Sequence, residues 1–102
     1  MALIMHIKDV GHLKFELFVD DAPLACKNFL ALCASDFYTG TKFHRNIRGF
    51  ILQGGDPSGS GKHGNSIYDD KPFKDEINTE VHKHDKRGIL SMANSGPNKN
   101  LS

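Results

Sequence analysis

No stretch of this sequence is apolar for long enough to cross a bilayer, so no membrane-spanning helix is expected. The amino terminus, MALIMHIKDV, lacks a cationic start and a cleavage-site pattern, and no secretory leader is expected there. An excess of one charge is also missing. Thirteen lysines and arginines face twelve aspartates and glutamates, a formal net charge of +1. That balance argues against nucleic-acid binding by bulk electrostatics and gives no reason to expect a membrane surface as partner. Cysteine is scarce, with only Cys26 and Cys33. If both lie on one helix, the rise between them is about 10 Å. A disulfide needs Cα atoms within roughly 7 Å, so the two are expected to stay free. Free thiols suit a reducing compartment, cytosol or nucleus.

Familiar chemical signatures are missing too. A phosphate loop needs a glycine five positions before Gly-Lys-Ser/Thr. Here Gly61-Lys62 is followed by His63, and Asp56 occupies the first glycine position. Of six histidines, His82 and His84 fall on one side of an extended segment, but no third ligand has metal-site spacing. No nucleophile elbow, Ser-His-Asp order or paired-carboxylate motif stands out. No metal or cofactor is expected.

What is present fits one small globular domain over residues 1–102, with 38% hydrophobic and 25% charged residues and a modest core. Leu3 to Ile7 is a short apolar run, Asp9-Val10-Gly11 a turn signal, and Leu13, Phe15 and Leu17 alternate with polar residues. This pattern predicts an antiparallel hairpin with a half-buried second strand. Asp20 and Asp21 are candidate helix caps, with Pro23 in the first turn. Ala22, Ala25, Cys26, Phe29, Leu30 and Cys33 then recur at helical spacing as one apolar stripe. On that stripe the cysteines are small buried hydrophobes rather than redox groups.

Phe43 to Ile47 and Phe50 to Gln53 read as two strand pieces with Gly49 as a bend or bulge. Gly54 to Ser66 holds five glycines and one proline and must be a loop. Ile67 to His84 is irregular, with a helical turn after Asp75. Gly88 to Ala93 reads as a strand and Asn94 to Asn100 as a turn-rich tail. The fold class is mainly β, a β-rich α+β arrangement that suggests a barrel.

The segment FHRNIRGFILQGGD, Phe43 to Asp56, holds the most specific pattern. Phe43, Arg45, Ile51 and Gln53 share parity and would project from one face of a continuous strand, although a bulge at Gly49 would change that. Spacing alone favours a solvated arginine on a sheet, since isolated charged residues on strands are common. The string, however, resembles the cyclophilin signature, in which F-H-R is followed by G-F-x-x-Q-G-G-D. Asn28-Phe29 with Leu32-Cys33 resembles that family's N-F-x-x-L-C helix. Gly59-Ser60-Gly61 with Ser66-Ile67-Tyr68 resembles its glycine loop, and Gly88 to Asn98 its S-M-A-N strand and turn. The chain is most similar to the small single-domain cyclophilins associated with the spliceosome.

The resemblance implies a peptidyl-prolyl cis–trans isomerase acting on X-Pro bonds in protein folding or ribonucleoprotein assembly. It implies Arg45, Phe50 and Gln53 as catalytic residues: a donor to the twisted amide, a wall of the proline pocket, and a holder of the substrate carbonyl. His44, Ile51, Ala93 and Asn94 would bind substrate, the last two through backbone alongside the peptide. Ile51 replaces the methionine often found there, which implies a reshaped pocket. Implied partners are proline-containing peptides and proteins, spliceosomal proteins and a cyclosporin-type ligand. Departures at His63 and at Pro72 bear on local loop paths, and Leu101 stands where the family has a glycine. The family continues past the position of Asn100 through further strands and a second helix that close an eight-stranded barrel. The implied fold is therefore a cyclophilin-like antiparallel barrel with a capping helix, incomplete at its carboxyl-terminal end. A proline-peptide-binding module with little turnover, or a truncated product without function, are the alternatives.

Overall fold

The computed structural model describes residues 1–102. Its elements are β1 (Ala2–Ile7), β2 (Gly11–Glu16), α1 (Pro23–Ala34), β3 (Arg45–Ile47) and β4 (Ile51–Gln53). β1 and β2 pair antiparallel, with Leu3 opposite Phe15 and Met5 opposite Leu13. Their turn closes by the Val10 N–H donating to the Ile7 carbonyl at 3.1 Å, with Asp9 in the left-handed region at φ 62°. Aspartate tolerates that conformation, which is why it reads as a turn residue. Leu3, Met5, Ile7 and Phe15 are half-buried, whereas Leu13 is exposed instead of half-buried. It lines an open groove with Ile47, Phe50 and Leu52, and no further layer lies over it.

The strands form two separate two-stranded sheets and no closed barrel. A barrel requires a neighbour on both edges of every strand, and each strand here has one. Gly88 to Ala93 is not a strand: it has no partner to complete a ladder, so its backbone runs irregularly.

α1 begins without the caps expected from Asp20 and Asp21. Its N-cap position is Ala22, which makes no side-chain cap bond. Glu76 supplies the missing acceptors from a distant loop: Oε2 accepts from the Leu24 N–H at 3.1 Å and Oε1 from the Ala25 N–H at 2.8 Å. A carboxylate here satisfies orphan donors and complements the positive end of the helix dipole. Asp21 instead meets His82. The helix ends in a Schellman-type closure. Phe37 N–H donates to the Leu32 carbonyl and Asp36 N–H to the Cys33 carbonyl, with Asp36 at φ 59°. Cys26 and Leu32 are buried, but Phe29, Leu30 and Cys33 are only half-buried, so the apolar stripe is partly uncovered. Both thiols are free, and burial pushes each above its ordinary range, with Glu76 adding to the effect at Cys26.

The core is small and unusually polar. Only Cys26, Leu32 and Phe73 are buried apolar residues, against four buried polar ones, Asn28, Asp56, Ser66 and Asn100. Buried polar groups must be hydrogen-bonded, and each of these stitches loops together. Asn28 is fully buried; its Nδ2 donates to the Leu101 carbonyl at 2.6 Å and its Oδ1 accepts from the Ile67 N–H at 2.9 Å. Ser66 donates to the Lys71 carbonyl and accepts from the Tyr68 N–H. Asn100 donates to the Phe73 carbonyl at 3.0 Å and to Asp75 Oδ1 at 2.8 Å, beside a two-way backbone bridge to Phe73. The helical turn expected after Asp75 forms at Asn78, where the His82 N–H meets the Asn78 carbonyl at 2.9 Å.

Candidate active site on the second hairpin

β3 and β4 are not one bent strand. They are a tight antiparallel hairpin, closed by the Phe50 N–H donating to the Ile47 carbonyl at 3.0 Å. Gly49 sits in the turn at φ 75°, a conformation that glycine adopts without steric cost. The turn folds the sequence back so that Arg45 lies opposite Gln53 and Ile47 opposite Ile51. Arg45 and Gln53 therefore share a face by cross-strand pairing. Parity along a continuous strand gave the same grouping for the wrong reason.

Phe50 belongs to the turn, not the strand, and is 72% exposed. The Arg45 guanidinium carbon lies 5.8 Å from the centre of its ring, within cation–π range. Arg45 is exposed and has no ion pair; the two in the structure are Met1–Glu16 and His82–Asp21. Its charge and donors are thus free for a ligand. Gln53 and Ile51 are half-buried.

No single cavity gathers the predicted residues. His44, Gln53, Ala93 and Asn94 share a groove of about 290 Å³. Phe50 and Ile51 line a second, wider groove of about 770 Å³ across the hairpin. Arg45 lines neither: it approaches Phe50 of the second groove and lies opposite Gln53 of the first. Ala93 and Asn94 are exposed, and Asn94 forms a bridge with Asn100. His44 is half-buried against Gly61, and its Nδ1 is buried without a hydrogen-bond partner.

The loop leaving β4 is ordered by Asp56, the last residue of the signature string, to which motif reading assigned no role. Asp56 is buried, and its carboxylate collects the loop's donors. Oδ1 accepts from the Ser58 N–H and hydroxyl, each at 2.8 Å; Oδ2 accepts from the Lys62 N–H at 2.9 Å, the His63 N–H at 3.1 Å and the Ser60 hydroxyl at 3.3 Å. Burial pushes this carboxyl up, but the donors, led by His63 and Ser58, outweigh it and hold the group well below the usual carboxylate range. Asp-Pro-Ser carried the signal, since aspartate binds the backbone two residues on. Asn28 carried one as well, an amide one turn from both Leu24 and Leu32 in an apolar stripe. Gly54 is required by close approach: a Cβ there would meet Phe43 Cδ1 at 3.0 Å and the Lys42 carbonyl at 3.1 Å.

Comparison with known proteins agrees with this geometry. The family model described as cyclophilin type peptidyl-prolyl cis-trans isomerase matches residues 2–102. Peptidyl-prolyl cis-trans isomerase 10 of Caenorhabditis elegans is 56% identical over 102 residues, covering 100% of this chain and 62% of that protein. Human peptidyl-prolyl cis-trans isomerase-like 3 is 54% identical with the same coverage. A crystal structure of a Cryptosporidium parvum cyclophilin type isomerase, solved in the presence of the dipeptide Ala-Pro, superposes with a TM-score of 0.86 at 59% identity. The match covers 92% of this chain and 60% of that one. The chain thus spans somewhat less than two thirds of the length of these relatives.

Proposed function

Because the chain belongs to the cyclophilin-type peptidyl-prolyl cis–trans isomerase family, we propose that it binds proline-containing protein segments at the β3–β4 hairpin and accelerates rotation of their X-Pro bonds. The observation that carries this reading is the unpaired Arg45 guanidinium, placed opposite Gln53 and against the exposed Phe50 ring.

Amide rotation is opposed by about 18–20 kcal/mol because the nitrogen lone pair is shared with the carbonyl. For X-Pro the isomers are close in energy, yet exchange takes tens to hundreds of seconds. No covalent bond is made or broken, so the task is to favour the twisted amide over both planar forms. In the twisted state the nitrogen is pyramidal and accepts a hydrogen bond. Arg45, always protonated, donates to it. Gln53 holds the substrate carbonyl, Phe50 and Ile51 receive the proline ring, and the backbone at Ala93–Asn94 holds the extended peptide, with His44 at its flank.

This reading extends to a single domain over residues 1–102 that forms part of a cyclophilin barrel, and to a place in the cytosol or nucleus, where two free thiols persist. Clients would be folding proteins, spliceosomal proteins among them, and a cyclosporin-type ligand would compete for the same face. The test is Arg45→Ala. Turnover of an X-Pro peptide should fall by about 100-fold, the cost of one lost transition-state donor. Stability should stay within about 0.5 kcal/mol, since the side chain is exposed. Near-normal turnover by that variant removes Arg45 from the role.

A further inference from the structure

Exposed basic residues occur in several loops of this chain, but the backbone beneath them is held very differently. Lys62, Lys74 and Lys99 are exposed and sit on tied backbone. The Lys62 N–H donates to Asp56 Oδ2 at 2.9 Å. Lys74 lies between Phe73, bridged to Asn100, and Asp75, whose N–H donates to Asn98 Oδ1 at 2.9 Å. The Lys99 N–H donates to the Gly96 carbonyl at 3.3 Å, next to the same bridge. Lys83, Lys86 and Arg87 have no such ties. The hydrogen bonds of the chain stop at His82 and resume at Asn94, so residues 83–93 make none. Residues 83–88 are all exposed, and none of the three basic side chains is in an ion pair. Nothing lies within 4 Å of the position that a Cβ at Gly88 would take, so the chain is open to approach there. An exposed backbone without hydrogen bonds is drawn into an extended form without breaking anything, which is what a protease cleft requires of its substrate.

We propose that residues 83–87 are a cleavage site for an endoprotease that seats lysine or arginine in an acidic pocket, and that the cut leaves a nicked molecule whose two pieces stay associated. In the reaction, water adds to the carbonyl carbon of the bond after the basic residue and the C–N bond breaks. A carboxylate and an ammonium are left, both protons of the water passing to the amine. The downstream piece stays in place because its ties lie beyond the cut. The Leu101 carbonyl accepts from the fully buried Asn28 at 2.6 Å, Asn100 holds Phe73 and Asp75, and the Ser102 hydroxyl donates to the Gly55 carbonyl at 3.0 Å. The upstream end stays on the body of the molecule through His82 and Asp21. The site does not depend on the isomerase reading, which gives residues 83–87 no role.

The experiment is a time course of the full chain with a trace of trypsin in native buffer, read by mass spectrometry. Cutting within residues 83–87 should run at least about ten-fold faster than at Lys62, Lys74 or Lys99, because opening those loops first breaks several hydrogen bonds. The nicked chain should elute from a sizing column with the uncut chain and should part into two pieces only in urea. The triple variant Lys83→Gln, Lys86→Gln, Arg87→Gln should lose the early tryptic cut; its three positions are exposed, so the fold should hold. Subtilisin, a protease of broad specificity, separates backbone access from side-chain preference, and its first cut in that variant should still fall within residues 83–93. A first tryptic cut outside residues 83–87, or similar rates there and at Lys62, Lys74 and Lys99, overturns the site. A first subtilisin cut outside residues 83–93 overturns it too. Pieces that part in native buffer overturn the association.

Discussion

Two parts of this chain lack regular secondary structure, and they are held in opposite ways. The loop from Gly54 to Asp75, with the tail from Asn94 to Ser102, is stitched by buried side chains. Asp56 gathers the first turn, Asn28 ties Ile67 to Leu101, and Asn100 ties Phe73 and Asp75 to the tail. The segment from Ile77 to Ala93 has one hydrogen bond to the rest of the molecule, from His82 Nε2 to Asp21 Oδ2 at 2.8 Å, with the His82 ring stacked on Phe18. Of its apolar residues, Ile77, Val81 and Leu90 are exposed and Ile89 and Met92 only half-buried. Order outside helices and strands therefore follows from buried polar side chains that satisfy backbone groups, not from loop length or glycine content. The candidate site lies at the junction. Gln53 leads into the stitched loop, while Ala93 ends the loosely held segment and Asn94 begins the stitched tail.

The contrast breaks most sharply at Asn28. Asn28→Ala leaves the Ile67 N–H and the Leu101 carbonyl without partners and opens a void, at a cost of about 3 kcal/mol. A loss of unfolding free energy in urea of less than about a quarter of that would show that the stitching is dispensable. A smaller effect, whose pH dependence is confined to acid, is expected of Asp56. Its folded-state acidity is enhanced, so its contribution is present above about pH 4, where the unfolded carboxyl is ionised, and is lost as pH falls below that. Asp56→Asn should flatten the decline in thermal midpoint between about pH 4 and pH 2. An unchanged decline would place the acid sensitivity elsewhere. The smallest global effect belongs to His82. The pair with Asp21 is partly exposed, and His82→Ala should cost under about 1 kcal/mol. Hydrogen exchange should nevertheless quicken along Ile77 to Ala93 and not in the stitched loop. Uniform quickening would mean that the two regions unfold as one.

Much of this was legible from local pattern. The first hairpin followed from period two and the Asp9-Val10-Gly11 turn signal, and the helix from its apolar stripe after Pro23. The family came from motifs spread across the chain. What was hidden is long-range. Helix capping by Glu76 reaches 51 residues back to Ala25, and no local rule selects it over Asp20 and Asp21. GILSMA has a strand's composition, but a strand exists only with a partner, and composition names none. Arg45 and Gln53 were grouped correctly, yet through a bent strand instead of a turn at Gly49. The two readings share parity, so spacing could not separate them.

The central claim is that this hairpin catalyses X-Pro rotation, and exchange NMR on a proline peptide tests it most directly. With a catalytic amount of the 102-residue chain, cis and trans resonances should show exchange cross-peaks on a sub-second scale, far faster than the uncatalysed tens of seconds, and Arg45→Ala should remove them. A peptide that binds at Arg45 and Gln53 while its isomers exchange no faster than in buffer would contradict the account.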